Sequence, residues 1–195
     1  MRMAPVGLFM ESPLVYNQFD EKMRMDQTFK IGCELAAITH GHPTGYLAAG
    51  VLGVIISRII DGDTLDEAIK KAIEILKTRP DHGECMVAIE KARSLAATDS
   101  PSPESVEQLG GGWVAEEALA IGIYCALVAK GDFTKGVLLA VNHSGDSDST
   151  GSITGNILGA LLGKSAIPAH WIQEVELGEV IEEVSVDLFK AYEDG

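Results

Sequence analysis

The chain has 195 residues, 46% of them hydrophobic, enough apolar material for one domain with a substantial buried core, so a single domain over 1–195 is expected. A formal net charge of −14 excludes a protein that grips nucleic acid by neutralising phosphates, because that binding needs clustered Lys and Arg. The same acidity suits a divalent-cation protein and equally a plain acidic surface.

The opening Met1-Arg2-Met3-Ala4-Pro5 lacks the layout of a signal peptide, and no apolar run reads as a membrane span. A cytoplasmic protein without a membrane partner is the expectation. Residues 28–40 form a broadly apolar helical segment that breaks at Gly41-His42-Pro43. Residues 44–60 repeat Leu47, Val51, Val54, Ile55 and Ile59 near the helical period. Asp61-Gly62-Asp63 ends that helix, and Thr64 with Glu67 three residues on is a capping box opening the next. Its apolar positions, Leu65, Ala68, Ile69, Ala72, Ile73 and Leu76, share one face. A further helix fits 84–97, followed by a turn-rich connection over 98–103. Gly110-Gly111-Gly112 leads into a nearly all-apolar helix running to Val128, and two more helices fit 133–141 and 153–162. The tail from 180 to 192 is again helical in pattern, with glutamates on an outer face. Cys33, Cys85 and Cys125 each fall in an apolar helical stretch, which predicts buried free thiols in a reducing compartment.

Chemistry concentrates in the loop over 142–151. Asp146 and Asp148 stand two apart between Gly145 and Gly151, with the hydroxyls of Ser147, Ser149 and Thr150 beside them. All-oxygen ligation of this kind suits magnesium, calcium or manganese rather than zinc. The competing reading is a helix N-cap, in which Asp148 or Ser149 serves a helix starting near Ile153. An EF-hand fails, because its twelfth position needs a bidentate carboxylate and here holds Ile157. His40 and His42, taken alone, read as a cap on the C-terminus of the preceding helix. Asp61-Gly62-Asp63-Thr64 reads as a structural turn. Neither a nucleophile elbow nor a nucleotide-binding glycine motif is present.

Met1-Arg2-Met3-Ala4-Pro5-Val6-Gly7, Thr39-His40-Gly41-His42-Pro43, Gly112-Trp113-Val114-Ala115-Glu116-Glu117-Ala118-Leu119 and Val141-Asn142-His143-Ser144-Gly145-Asp146-Ser147-Asp148-Ser149-Thr150-Gly151 together resemble the second half of the ADP-ribosylglycohydrolase family. The resemblance implies an all-α, compact multi-helix orthogonal bundle with two magnesium ions in a central cleft, manganese being the alternative ion. It implies hydrolysis of the bond between ADP-ribose and an acceptor such as arginine or serine. Asp146, Asp148 and Ser149 match the family's D-x-D-[ST] metal ligands, and His40 matches a histidine that lies against the substrate ribose. The family's other ligands come from an N-terminal [ST]-D-D-[ST] segment, and this sequence holds no Asp-Asp pair. The chain thus reads as the C-terminal portion of the family domain, truncated at the N-terminus. The expected partners are ADP-ribose or an ADP-ribosylated protein, together with a complementing N-terminal half or self-association. The alternative is a non-catalytic helical remnant, or a module that binds ADP-ribose or a partner. Truncation is expected to uncover apolar faces around 29–38 and 114–128.

Overall fold

The computed structural model describes residues 1–98 and 100–193, and among these the chain is helical throughout with no strand. The helices are α1 (Ala4–Phe9), α2 (Pro13–Tyr16), α3 (Glu21–Ala37), α4 (Pro43–Ile60), α5 (Leu65–Leu76), α6 (Gly83–Thr98), α7 (Pro103–Glu107), α8 (Ala115–Ala129), α9 (Phe133–Val141), α10 (Ser147–Leu162), α11 (Ala169–Glu174) and α12 (Gly178–Glu193). A short 3-10 turn, Lys164–Ala166, joins α10 to α11. Asp99, in the connection expected between α6 and α7, lies outside the described residues.

Helix α4 is the centre. Pro43 at its first turn starts it without wasting an amide, and its apolar residues cover every side, so it needs neighbours all round. Val54, Ile55 and Ile56 are fully buried. Helices α1, α3, α5, α8 and α10 supply the cover. Small residues set how close they come: a Cβ at Gly50 would lie 2.7 Å from Cys33 Sγ and 2.9 Å from the Phe29 carbonyl oxygen, so α3 and α4 touch nearly backbone to backbone. By length and composition α4 is apolar enough to cross a membrane, which the sequence pattern was not expected to offer. In this fold 72% of that window is buried against the other helices, as for a core helix.

Several expectations change here. The helix expected from 28 begins at Glu21, because the Asp20 side chain accepts the Met23 amide and starts it earlier. Helix α10 begins at Ser147 rather than near Ile153. The region 114–128 is not an uncovered apolar face, since α4, α6, α9 and α10 enclose α8 and Ile121, Ile123 and Tyr124 are fully buried. Within 29–38, Phe29 is buried while Leu35 and Ile38 are exposed. The longer apolar strip lies elsewhere: Leu177, just before α12, and Val180, Ile181 and Val184 along it are each at least half exposed. Cys85 and Cys125 are buried and Cys33 half-buried, all three free.

The turn after α4 ties the bundle together. Arg58, with a side chain only 2% exposed, holds Asp61 through Nη1 at 2.6 Å and Asp63 through Nε at 2.8 Å. Lys71 of α5 reaches Asp63 at 2.9 Å, and Arg24 of α3 pairs with Asp61 at 3.3 Å and with Glu11 at 3.2 Å. Asp61-Gly62-Asp63 is therefore the structural turn its sequence suggested, and it links α3, α4, α5 and the segment after α1. The capping box follows at once, with Thr64 N–H donating to Glu67 Oε2 at 3.0 Å and Glu67 N–H to Thr64 Oγ1 at 3.3 Å.

Burial by itself would raise the Asp63 carboxyl, but the hydrogen bonds from Arg58 and Lys71 outweigh it and hold the group below its ordinary range. A depressed carboxyl contributes stability above its unfolded pKa, about 3.9, and loses it as pH falls through the lower folded value. Asp63→Asn is therefore expected to lower unfolding free energy in urea by about 2 kcal/mol at pH 7. The gap to the parent protein should narrow as pH drops below about 4. A gap that stays constant to pH 3 would show that Asp63 is not held as its charge.

Candidate functional site

The site begins with a loop that cannot cap its own helix by a side chain, because Val114 occupies the N-cap position of α8. Glu117, on the first turn, ties the loop to the helix instead: its Oε2 accepts the amides of Gly111 and Gly112, each at 3.1 Å. The loop folds back over this carboxylate only because Gly110 and Gly112 take φ of +114° and +73°. The Gly111 carbonyl, turned outward, accepts the Asp146 amide at 2.8 Å. Gly145 is what allows this approach, since a Cβ there would overlap the Gly111 carbonyl oxygen.

A second set of bonds holds the start of α10. The Gly145 amide donates to His143 Nδ1 at 3.1 Å, so Nδ1 is unprotonated and Nε2 carries the hydrogen. Nε2 then donates to Thr150 Oγ1 at 3.0 Å, and that hydroxyl donates to the Ala140 carbonyl at 2.7 Å. Thr150 is fully buried, so this chain of bonds ties the last turn of α9 to the first of α10. Asp146 is the N-cap residue of α10, yet its side chain caps no amide. Its Oδ2 instead accepts the Ser149 hydroxyl at 2.8 Å. A proton shared with the Asp148 carboxyl first, and hydrogen bonds from Ser149 next, hold the Asp146 carboxyl below its ordinary range. The capping alternative raised by the sequence is met in part, since Asp148 Oδ1 accepts the Ser149 amide at 2.7 Å, although α10 starts earlier and both residues sit inside its first turn.

His40 lies in the connection between α3 and α4. Arg2 Nη2 donates to Thr39 Oγ1 at 2.6 Å, and Thr39 meets His40 Nδ1 at 2.8 Å. The Thr39 hydroxyl also lies 3.4 Å from the Ala36 carbonyl, which accepts from it. His42 caps nothing behind it. It is the N-cap residue of α4, and its Nδ1 meets Thr44 Oγ1 at 3.0 Å.

These pieces enclose one open cavity of about 660 Å³, a size that holds a nucleotide-like ligand. His40, His42, Glu116, Asp146 and Ser149 line it, with Arg2 at the side. The N-termini of three long helices open into it: Thr44 and Gly45 of α4, Ala115 and Glu116 of α8, and Asp146 and Ser149 at the start of α10. Unpaired amides and the positive ends of helix dipoles favour an anion, so this convergence suits phosphate groups. Asp148 is exposed on the first turn of α10 and is not part of the lining. Among the described residues no three His, Cys, Asp or Glu side chains come together as a metal-holding group. Asp146, Asp148 and Ser149 offer hard oxygen donors of the kind magnesium takes, in a number that fills only part of an octahedral shell. Arg2, Glu116 and Glu117 were not singled out by sequence. The available signal was three consecutive glycines followed by two glutamates in a first helical turn.

A family model described as ADP-ribosylglycohydrolase matches residues 1–195. The chain is similar, at 27% identity over 192 residues, to an uncharacterized protein of Archaeoglobus fulgidus, covering 98% of this chain and 57% of that protein. It is 20% identical over 189 residues to ADP-ribosylarginine hydrolase Tri1 of Pseudomonas putida, covering 97% of this chain and 44% of the relative. It is 25% identical over 189 residues to ADP-ribosylarginine hydrolase Tri1 of Serratia proteamaculans, covering 97% and 45%. The chain therefore spans about half the length of the relatives it matches.

Gly145→Ala tests the contact on which the site's geometry rests. The overlap with Gly111 should push the two loops apart and cost about 1–3 kcal/mol in urea unfolding. Exchange of the Asp146 amide should accelerate with it. Unchanged stability and unchanged exchange at Asp146 would mean that the loops are not in contact.

Proposed function

The chain belongs to the ADP-ribosylglycohydrolase family, and on that premise we propose that it forms part of a cytoplasmic hydrolase that removes ADP-ribose from an acceptor, with arginine as the acceptor. The observation that carries this reading is the convergence of three helix N-termini on one cavity, which suits the diphosphate of ADP-ribose. The acceptor follows the relatives named ADP-ribosylarginine hydrolase.

In this reading Asp146, Asp148 and Ser149 would hold magnesium, and His40 would lie against the ribose. Magnesium, when bound, polarises the ribosyl oxygens or acidifies a water. The chain's own residues do the rest. Helix starts orient the diphosphate, Arg2 and Thr39 fix the His40 ring, and the Gly111–Asp146 bond sets where the carboxylate stands. The two carboxylates and one hydroxyl amount to a partial shell, so further carboxylates complete the site, supplied by the region of the relatives that this chain does not match. A second reading, binding of ADP-ribose without turnover, is favoured by the outward placement of Asp148.

The test is hydrolysis of an ADP-ribosyl-arginine peptide with magnesium, by the chain alone and with the unmatched region of a Tri1 relative added. Turnover is expected to be negligible alone and to appear on addition, and Asp148→Ala should then reduce it roughly 100-fold or more. Strong turnover by the chain alone that survives Asp148→Ala would refute the metal assignment. Tight ADP-ribose binding with no turnover under either condition would establish the second reading.

A further inference from the structure

Glu116 stands at the second position of α8 and lines the cavity, yet its Oε2 is buried and accepts no hydrogen bond. Its neighbour Glu117 is fully explained by the amides of Gly111 and Gly112. Glu116 has no such explanation. No Lys, Arg or His comes within ion-pair distance of it among the described residues. Arg2, the cation that shares the cavity, is engaged by Thr39 and the Leu35 carbonyl. A carboxylate oxygen kept from water without a donor is costly, and a folded chain retains one where a ligand brings the donor.

We infer that Glu116 is the residue that recognises the guanidinium of an arginine-linked ADP-ribose, so that the acceptor is selected by a half-buried carboxylate in the cavity wall. The inference rests on the ADP-ribosyl reading above and deepens it. A guanidinium presents planar, permanently charged N–H donors that match a carboxylate two at a time. A serine-linked substrate places a neutral ether oxygen and an amide backbone there, and these leave the carboxylate unpaired. The cavity thus carries two different preferences. Helix starts take the anionic end of the substrate, and Glu116 takes its cationic end.

The experiment measures calorimetric dissociation constants without added metal for ADP-ribose, ADP-ribosyl-arginine and ADP-ribosyl-serine, on the parent chain and on Glu116→Gln. The parent chain should prefer the arginine-linked ligand over the other two by roughly tenfold or more, the strength of one charge-assisted pair. Glu116→Gln should abolish that preference and leave ADP-ribose and the serine-linked ligand bound as before. A preference that survives Glu116→Gln, or an equal loss of all three ligands, overturns the inference while leaving the ADP-ribosyl reading intact. A parent chain that binds none of the three overturns both. Thermal melting gives an independent check: Glu116→Gln alters a side chain whose buried oxygen has no donor, so its Tm should not fall. A fall in Tm would show that Glu116 has a structural partner, and the inference would fail with it.

Discussion

Everything in this fold follows from one constraint: an 18-residue helix, α4, whose side chains are apolar on every side, has to be enclosed completely. Enclosure fixes which helices surround it and how near they stand, as the contact of Gly50 with Cys33 and Phe29 illustrates. It also sends the two ends of the helix to different tasks. At the C-terminus, Arg58 and the Asp61-Gly62-Asp63 turn gather α3 and α5 into a set of ion pairs. At the N-terminus, Pro43 brings no amide that would go unpaired, and Thr44 and Gly45 line the cavity. The stable end and the open end of one element lie about 27 Å apart, at roughly 1.5 Å per residue.

The site is built from backbone more than from side chains. The Gly111 carbonyl, the Gly145 amide and the amides gathered by Glu117 decide where the cavity walls stand, while the polar side chains are added to that frame. Such a frame is exact in position yet sensitive to any added atom, which is why glycine recurs where two loops meet.

The sequence was most informative where local physics decides. The capping box at Thr64 and Glu67 and the single apolar face of α5 depend on residues within four positions of one another, and both are present as expected. It was least informative where distant residues decide. The first turns of α3 look too polar for a core helix because Arg24 is buried only through Glu11 and Asp61, and neither partner is adjacent. Residues 147–152 read as loop because serine, aspartate and glycine favour turns, but the docking of Asp146 on Gly111 lets a helix begin there. His40, Asp146 and Ser149, chosen from their residue types and from family resemblance, share one cavity, and Asp148 stands beside it rather than in it. Glu116 stood in the sequence only as one of two glutamates after three glycines, since a buried oxygen without a partner is visible only in three dimensions.

The cysteines have a practical consequence. Burial pushes the thiols of Cys85 and Cys125 up to about 12 and that of Cys33 to about 11. At neutral pH the reactive thiolate of Cys33 is then present in on the order of one molecule in ten thousand, and that of the other two is rarer still. The chain is nearly silent toward maleimides and mild oxidants. A cysteine introduced on the rim of the cavity would therefore be the one position that takes up a fluorophore, with the native thiols left in place.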